Sequence, residues 1–381
     1  MERAVRSPVR HPRLTVVLGR WLGAAFLTCF ATGVFSHVLQ DASATTALSS
    51  AGLLPTRPVS LYRITQGVHV TAGIAAIPLL LGKLWSVYPR LLEWPPVRSM
   101  PHALERASIA LFVSASLVQV TIGLINTYQW YPWPFPFRQT HYWLAWVIIG
   151  SLVLHVAIKL PVILDHWRRP LRPHGRGAAD PRVGVSRRGV LAAIGLGSAA
   201  LVTTTAGQSL PALAGVNVLA PRRMGVGPQG VPVNRTSAQA AVGELARDPG
   251  WALTVTHDGR SRSFTLEALR ALPQREHDLP IACVEGWSQN AHWRGVPVRE
   301  LLTLVGAPAA STLRFTSLEP QGSYREMTMP AACAADEQTL VALELNGAVL
   351  DLEHGYPARV IAPGRPGVLQ TKWLSSVEVI V

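Results

Sequence analysis

One cysteine, Cys283, stands in a chemically specific setting, within the segment IACVEGWSQNAHWRGVPVRELL of residues 281–302. No second cysteine is close enough for a CxxC metal motif, and no HxxxH pattern accompanies it. Cys29 and Cys333 are the other cysteines, which excludes a disulfide framework but leaves a Cys283–Cys333 bond arithmetically possible. Because a buried structural thiol is a common role for a lone cysteine, a second signal is needed before a metal is inferred.

Four histidines lie within apolar stretches: His37, His69, His141 and His155. Histidine is rare in lipid-facing sequence, so each is a candidate for function. A bis-histidine haem needs two imidazoles at one depth on different helices; His69 and His141 are placed this way, with His37 near the same level. His155 lies about 21 Å beyond His141 on the same helix face, where a second haem is left open. Anchoring of helix ends at the membrane surface is the alternative for His37 and His141.

The composition predicts that these histidines lie in a membrane-spanning part of the protein. Hydrophobic residues make up 49% of the 381 residues and charged residues only 15%, which is low for a soluble protein. The net charge of +13 comes from arginines in short runs beside apolar stretches, so we expect a lipid bilayer and no nucleic acid as partner. Stretches with the length and low charge of membrane spans are residues 21–40, 64–82, 107–137, 139–159 and 189–221.

Basic residues predict the orientation of these spans in the cytoplasmic membrane. They cluster before the first span, after the second and after the fourth, whereas the alternate loops hold only Arg57, Arg63 and Arg138. The N-terminus is therefore predicted to be cytoplasmic, and five spans place residues 216–381 outside. The clustered residues are Arg3, Arg6, Arg10, Arg13, Lys83, Arg90, Arg98, Arg106, Arg168, Arg169, Arg172, Arg176, Arg182, Arg187 and Arg188.

The fifth span begins with SRRGVL, which matches a twin-arginine export signal. This export route carries folded domains, which suits a domain that receives its cofactor before export. The alternative is that Arg187 and Arg188 are positive-inside anchors.

The C-terminal part is predicted to be α+β. Strands are expected at residues 252–256, 312–317 and 376–381, and short helices at 264–272 and 298–304. The Pro/Gly-rich stretch 221–235 is typical of a linker. The predicted domains are a transmembrane four-helix domain at 1–185, a fifth helix at 186–215, a linker at 216–244 and an α+β domain at 245–381.

Two motifs carry a family resemblance. They are CVEGW, with WRGVPV ten residues after the cysteine, and the segment LELNGAVLDLEHGYPARVIAPGRPGVLQTKWLSSVEV at 343–379. Residues 245–381 thereby resemble the molybdopterin-binding domain of the sulfite oxidase superfamily, and are most similar to the catalytic subunits of periplasmic methionine sulfoxide reductases.

The resemblance implies roles for five residues. Cys283 would be the thiolate ligand of molybdenum, with the other sulfur ligands supplied by the molybdopterin. His354 and Arg359 would meet the pterin phosphate. Lys372 and Trp373 match the family's KW pair, in which the lysine would hold an anionic cofactor or an oxo ligand.

Three further candidates follow from the same alignment. Asn290 and His292 are expected to face the cofactor, and Tyr324 to reach the substrate site. Glu285 and Trp287 stand where sulfite oxidases have arginines, which favours a neutral substrate over an anion. The chain ends soon after the KW pair, so we also expect the additional C-terminal domain of sulfite oxidases to be missing.

The layout of the first four spans resembles four-helix b-type cytochromes, which implies haem b as a second cofactor. The combined expectation is a membrane-bound molybdenum oxidoreductase that performs oxygen-atom transfer on the outer face. It would exchange electrons through the haem with a quinol pool or another redox carrier, and act on a sulfoxide-type substrate. The alternatives are a membrane sulfite dehydrogenase and an inactive, membrane-anchored binding protein of the same fold.

Overall fold

The structure, a computed structural model, describes residues 12–91, 94–95, 97–168 and 186–380. Among these residues, five helices are long and apolar enough to cross a membrane, as the composition predicts. They are α1 (Pro12–Gln40), α3 (Leu61–Leu91), α4 (Met100–Thr127), α5 (Phe137–Arg168) and α6 (Arg187–Thr205), and the short helix α2 (Ala42–Ser50) follows α1.

Two of the predicted spans are too long. The stretch 107–137 is helical only to Thr127, because the alternating prolines of the following WYPWPFPFRQ segment cannot donate helix hydrogen bonds. The stretch 189–221 is an α-helix only to Thr205 and continues as short 3₁₀ turns, the second of which begins at Pro211.

The apolar helices share a small core. Phe26 of α1, Leu80 of α3, Ala115 of α4 and Ile148 of α5 belong to one buried cluster. Helix α6 packs on α3 as well, since the Ser198 hydroxyl donates a 3.1 Å hydrogen bond to a backbone carbonyl of α3. Small and apolar side chains thus hold this unit together.

The paired arginines begin α6 and are exposed. Arg187 and Arg188 follow Ser186, whose hydroxyl accepts a 3.1 Å hydrogen bond from the backbone N–H of Gly189 and so caps the helix. The predicted orientation also depends on residues that lie outside the described part of the chain: Arg3, Arg6, Arg10, Arg169, Arg172, Arg176 and Arg182.

The C-terminal part combines short helices with two sheets. Its elements in order are α7 (Ser237–Ala240), α8 (Gly243–Arg247), β1 (Ala252–His257), β2 (Arg260–Thr265), α9 (Leu266–Ala271), β3 (Arg275–Ala282), β4 (Ser288–Pro297), α10 (Val298–Leu304), β5 (Leu313–Ser317), β6 (Glu326–Met329), α11 (Ala331–Ala335), β7 (Leu340–Leu345), β8 (Ala348–Val349), β9 (Arg359–Ile361) and β10 (Leu374–Val379).

One sheet has the order β2-β1-β10-β5-β6, with β1 and β10 parallel and the other pairs antiparallel. The other sheet has the order β3-β4-β7-β8, and β9 also pairs with β7. The main apolar core includes side chains of both sheets, among them Leu253, Phe315 and Leu343. The C-terminal part is therefore α+β, as predicted.

Most of the predicted elements of this part are present. The predicted strands are β1, β5 and β10, although β10 begins two residues early and Val381 lies outside the described residues. The helix predicted at 298–304 is α10. The helix predicted at 264–272 is wrong at its start, because Phe264 is a buried residue of β2 and Thr265 caps α9 through a 3.2 Å hydrogen bond.

Contacts divide the chain into two compact units that do not follow the sequence order. One unit contains the described residues up to Gly33 together with Val68–Thr205. The other contains Val34–Gly67 together with the described residues from Ala206 onward. The end of α1, the loop with α2 and the first turns of α3 thus pack with the α+β part.

Candidate functional site

Cys283 lies in the turn of a β-hairpin. The antiparallel strands β3 and β4 pair up to Ala282 and Ser288, and the residues between them form the turn. The Cys283 N–H donates a 2.9 Å hydrogen bond to the Trp287 carbonyl, and the Gly286 N–H donates a 3.1 Å bond to the Cys283 carbonyl. Gly286 has a φ of +96°, which favours glycine over other residues. The hairpin therefore fixes the backbone beside the thiol.

The thiol of Cys283 is buried beside a carboxylate. Cys283 is 1% exposed, and its Sγ donates a 3.3 Å hydrogen bond to Oε2 of Glu285. The Trp287 indole N–H donates a 3.0 Å bond to the same oxygen. Burial, and then the Glu285 charge, raise the pKa of Cys283 well above its usual range. A bound cation is therefore needed to hold this sulfur as a thiolate.

The second motif supplies two cations, the buried Arg359 and the half-buried Lys372. Arg359, on β9, is 2% exposed, and burial lowers its pKa to about 9. Burial, and then the Arg359 charge, lower the pKa of Lys372 to about 7. The Lys372 ammonium donates hydrogen bonds of 2.6 and 3.0 Å to the carbonyls of Arg235 and Glu353. An anionic ligand here would offset both charges.

One pocket brings the two motifs together. Cys283, Tyr324, Arg359 and Lys372 all line it, although they come from distant parts of the sequence. Tyr324 lies in a turn before β6 and not in a strand. The pocket therefore combines a thiol, a phenol and two cations.

Five other polar lining residues were missed by sequence reasoning: Asn234, Arg235, Glu319, Gln370 and Thr371. Gln370 and Thr371 directly precede Lys372, so their position beside the KW pair was an available signal. Arg235 and Glu319 form a 2.8 Å ion pair, and no local motif marks either of them. Asn234 and Arg235 belong to the stretch that was predicted as a linker.

The structure does not bring two predicted residues to the pocket. Asn290 and His292 lie on β4, where Asn290 is exposed and accepts a 2.7 Å hydrogen bond from Arg63. The His292 ring lies 3.0 Å from the Asp278 carboxylate and does not line the pocket. The reason is strand alternation, since Ala291 and Trp293 take the buried positions of β4.

His354 and Trp373 do not line the pocket, but each contacts one of the cations that do. The His354 ring donates a 2.8 Å hydrogen bond from Nε2 to the Pro228 carbonyl, and burial lowers its pKa to about 4, so the ring is neutral. Its own carbonyl accepts a 3.1 Å bond from Arg359. Trp373 is fully buried and stacks beneath Lys372, whose ammonium is 4.3 Å from the ring centre. Both residues support the cations that line the pocket.

The chemistry of the pocket fits a molybdopterin. Among the described residues, no group of three or more His, Cys, Asp or Glu side chains is arranged to hold a metal ion. Several buried polar atoms of the pocket residues have no hydrogen-bond partner among the described residues, among them Arg235 Nε, Arg359 Nε, Gln370 Oε1 and Thr371 Oγ1. All four belong to pocket residues and can pair with the polar edge of a pterin and with phosphate.

His69 and His141 meet in the helical unit. Their ring centres are 6.0 Å apart and their ring planes make an angle of 75°. The His69 Nδ1 donates a 2.9 Å hydrogen bond to the Cys29 carbonyl, which leaves Nε2 for a metal. A Cβ on Gly33 would lie 2.8 Å from the His69 ring, and one on Gly123 would lie 3.0 Å from the His141 ring. Glycines therefore make room for both imidazoles.

Two neighbouring imidazoles on different helices would suit a haem iron held between them. The other two histidines differ. His155 stacks on Phe112, with ring centres 6.1 Å apart. His37 interacts electrostatically with Asp41 and belongs to the compact unit of the α+β part.

All three cysteines are free in the structure, so the Cys283–Cys333 disulfide is not formed. Cys333 packs instead against the main core of the α+β part.

The fold and the pocket define a class of domain. Residues 240–381 match the family model of the oxidoreductase molybdopterin binding domain. The C-terminal segment is thus a molybdopterin-binding oxidoreductase domain by its similarity to this family model.

Three curated relatives show the range of similarity. Sulfite oxidase of Arabidopsis thaliana is 37% identical over 105 residues, covering 24% of this chain and 27% of that protein. The putative protein-methionine-sulfoxide reductase subunit YedZ1 of Azospira oryzae is 31% identical over 117 residues, covering 31% of this chain and 44% of that protein. The protein-methionine-sulfoxide reductase catalytic subunit MsrP of Burkholderia mallei is 25% identical over 256 residues, covering 61% of this chain and 75% of that protein. The chain thus spans less than half the length of the first two.

Proposed function

We propose that this protein is a membrane-bound molybdenum-dependent oxidoreductase that performs oxygen-atom transfer on the outer face of the cytoplasmic membrane. In this proposal it exchanges electrons through a b-type haem. The observation that carries the proposal is the convergence of Cys283, Tyr324, Arg359 and Lys372 on one pocket of the molybdopterin-binding domain.

The residues of the pocket have distinct tasks in this proposal. Cys283 binds the molybdenum through its sulfur, and Arg359 and Lys372 hold the anionic groups of the cofactor. The bound cofactor supplies two-electron oxygen-atom transfer chemistry. Tyr324 donates a hydrogen bond from its phenol to the oxygen of the substrate that is transferred. Glu285 keeps the Trp287 indole in place through its 3.0 Å hydrogen bond.

A sulfoxide is the proposed substrate class, since two of the three relatives carry protein-methionine-sulfoxide reductase in their names. Glu285 and Trp287, next to the metal-binding sulfur, support a neutral and partly apolar substrate over an anion. Reduction consumes two electrons and two protons per sulfoxide and releases water and the thioether.

His69 and His141 are the proposed ligands of one haem b. Their 6.0 Å separation, the oriented Nδ1 of His69 and the space left by Gly33 and Gly123 support this assignment. A haem supplies single electrons, here drawn from a quinol pool or another redox carrier. The paired Arg187 and Arg188 before an apolar helix support export of the C-terminal domain to the outer face.

The test is a substrate screen on the detergent-purified protein. Molybdenum and haem are first quantified per chain, and the haem is then reduced under anaerobic conditions. We expect methionine sulfoxide or dimethyl sulfoxide to oxidise the haem. Protein that contains no molybdenum after expression with a molybdopterin supply would support the inactive binding protein instead.

A membrane sulfite dehydrogenase is the second candidate, because the Arabidopsis relative is a sulfite oxidase. The two candidates predict opposite electron flow. Sulfite would reduce an oxidised haem in the dehydrogenase, whereas a sulfoxide would oxidise a reduced haem in the proposed reductase.

A further inference from the structure

Residues far before the molybdopterin-binding domain contact the Cys283 turn. The side-chain N–H of Gln66, in the first turns of α3, donates a 2.6 Å hydrogen bond to the Val284 carbonyl. The Ser209 hydroxyl donates a hydrogen bond to the Gly286 carbonyl. Both contacts lie within the compact unit that contains Val34–Gly67 and the α+β part.

These two contacts occupy two carbonyls, those of Val284 and Gly286, that the turn's own hydrogen bonds do not use. The hairpin's own hydrogen bonds engage the carbonyls of Cys283 and Trp287. Gln66 and Ser209 are 6% and 7% exposed, so both bonds form away from water, where a lost partner has a large effect. The turn that bears the thiol is therefore held by partners on both sides of Glu285.

A third contact comes from the same helix face. Tyr62 and Gln66 are four residues apart in α3 and therefore lie on one side of the helix. Tyr62 is 1% exposed and belongs to a buried cluster with Ala282, the residue before Cys283. Helix α3 thus contacts the residue before Cys283 and the residue after it.

Gly67 allows the two donors to approach the turn together. A Cβ on Gly67 would lie 3.3 Å from the Ser209 Cβ, so a larger residue here would press on Ser209. The small residue beside Gln66 therefore keeps Gln66 and Ser209 close to each other.

From these contacts we infer that Gln66 and Ser209 are positioning residues that set the orientation of the Cys283 sulfur toward the bound metal. This inference rests on the proposed function. In it, the start of a membrane helix and the segment after α6 complete the metal site of the molybdopterin-binding domain. The domain alone would hold the cofactor with a differently oriented sulfur.

The test compares three variants of the full chain: Gln66→Met, Ser209→Ala and Arg63→Met. Arg63 is the matched control, since it lies on the same helix turn and donates a 2.7 Å hydrogen bond to Asn290, which is outside the Cys283 turn. The readouts are molybdenum per chain, the electron paramagnetic resonance spectrum of the half-reduced metal, and kcat and KM for dimethyl sulfoxide with reduced benzyl viologen.

We expect Gln66→Met and Ser209→Ala to shift the metal spectrum and to lower kcat about tenfold, with KM within about twofold of the wild type. Arg63→Met should match the wild type in spectrum and kcat. Loss of molybdenum in Gln66→Met and Ser209→Ala alone would also support the inference.

Wild-type spectra and kcat in both Gln66→Met and Ser209→Ala would overturn the inference, as would equal changes in all three variants. Absence of molybdenum from the wild-type protein would instead overturn the proposed function, so the two failures are distinguishable.

Discussion

The imidazole rings of His69 and His141 lie with their centres 6.0 Å apart, although the two residues are on helices α3 and α5. A Cβ on Gly33 would collide with the His69 ring, and a Cβ on Gly123 would press against the His141 ring. This close pair of partly buried imidazoles supports the proposal that His69 and His141 bind one haem.

His69→Ala and His141→Ala are each expected to remove the haem, because iron loses one of its two axial ligands. The measurement is the haem-to-protein ratio of purified protein, from the optical spectrum and total iron. His37→Ala and His155→Ala are the controls and should keep the ratio, since His155 stacks on Phe112 and His37 lies near Asp41. An unchanged ratio in all four variants would exclude a histidine-bound haem.

Cys283→Ser should abolish turnover, because a serine hydroxyl does not replace a soft thiolate ligand of molybdenum. The haem spectrum should persist, since its ligands lie on other elements. Turnover with reduced benzyl viologen and molybdenum per chain are measured together. Cys333→Ser is the matched control and should be nearly silent, because Cys333 is free and does not line the pocket. Full activity in Cys283→Ser would refute the metal assignment.

Arg359→Met and Lys372→Met should weaken cofactor retention by about 10- to 100-fold, the effect of losing a hydrogen bond to a charged group. Molybdenum per chain after gel filtration measures this. Arg314→Met serves as the control, since Arg314 pairs with Glu378 on a half-exposed face of the other sheet. Equal molybdenum loss in all three variants would indicate general destabilisation rather than a role in the pocket.

Changing Arg187 and Arg188 to lysine should leave the C-terminal domain on the cytoplasmic side. The export signal is expected to require arginine, whereas lysine keeps the positive charge that orients a membrane helix. A topology reporter fused after Val381 measures the outcome. Normal export of the double-lysine variant would show that Arg187 and Arg188 act only as positive-inside anchors.

Local patterns were sufficient to predict much of this protein. Uncharged stretches predicted five apolar helices, since crossing a bilayer requires length and low charge. Enrichment in β-branched residues predicted β1 and β10, and β5 and α10 were also expected from the sequence. The predicted boundaries of the spans 107–137 and 189–221 and of the helix 264–272 were wrong. Low charge over a stretch does not show where a proline-rich segment or 3₁₀ turns end a helix, and the pattern at 264–272 did not show that Phe264 belongs to a strand.

Within the site, the motifs predicted Cys283, Arg359 and Lys372, which line one pocket. The same motifs pointed to Asn290 and His292, which strand alternation turns away from it. A sequence motif indicates which segment lies near the pocket. The pairing of β3 with β4 then decides which face of the strand Asn290 and His292 occupy.

The sequence by itself determined the chemical groups of this protein: a thiol, two cations and a pair of imidazoles within apolar helices. Only the tertiary structure decided which distant residues join them. Arg235 and Glu319 reach the pocket from segments without a motif, and Gln66 reaches the Cys283 turn from the first turns of an apolar helix. The reason is physical, since such contacts depend on the packing of elements that are far apart in the chain, and no local pattern of residue types encodes that packing.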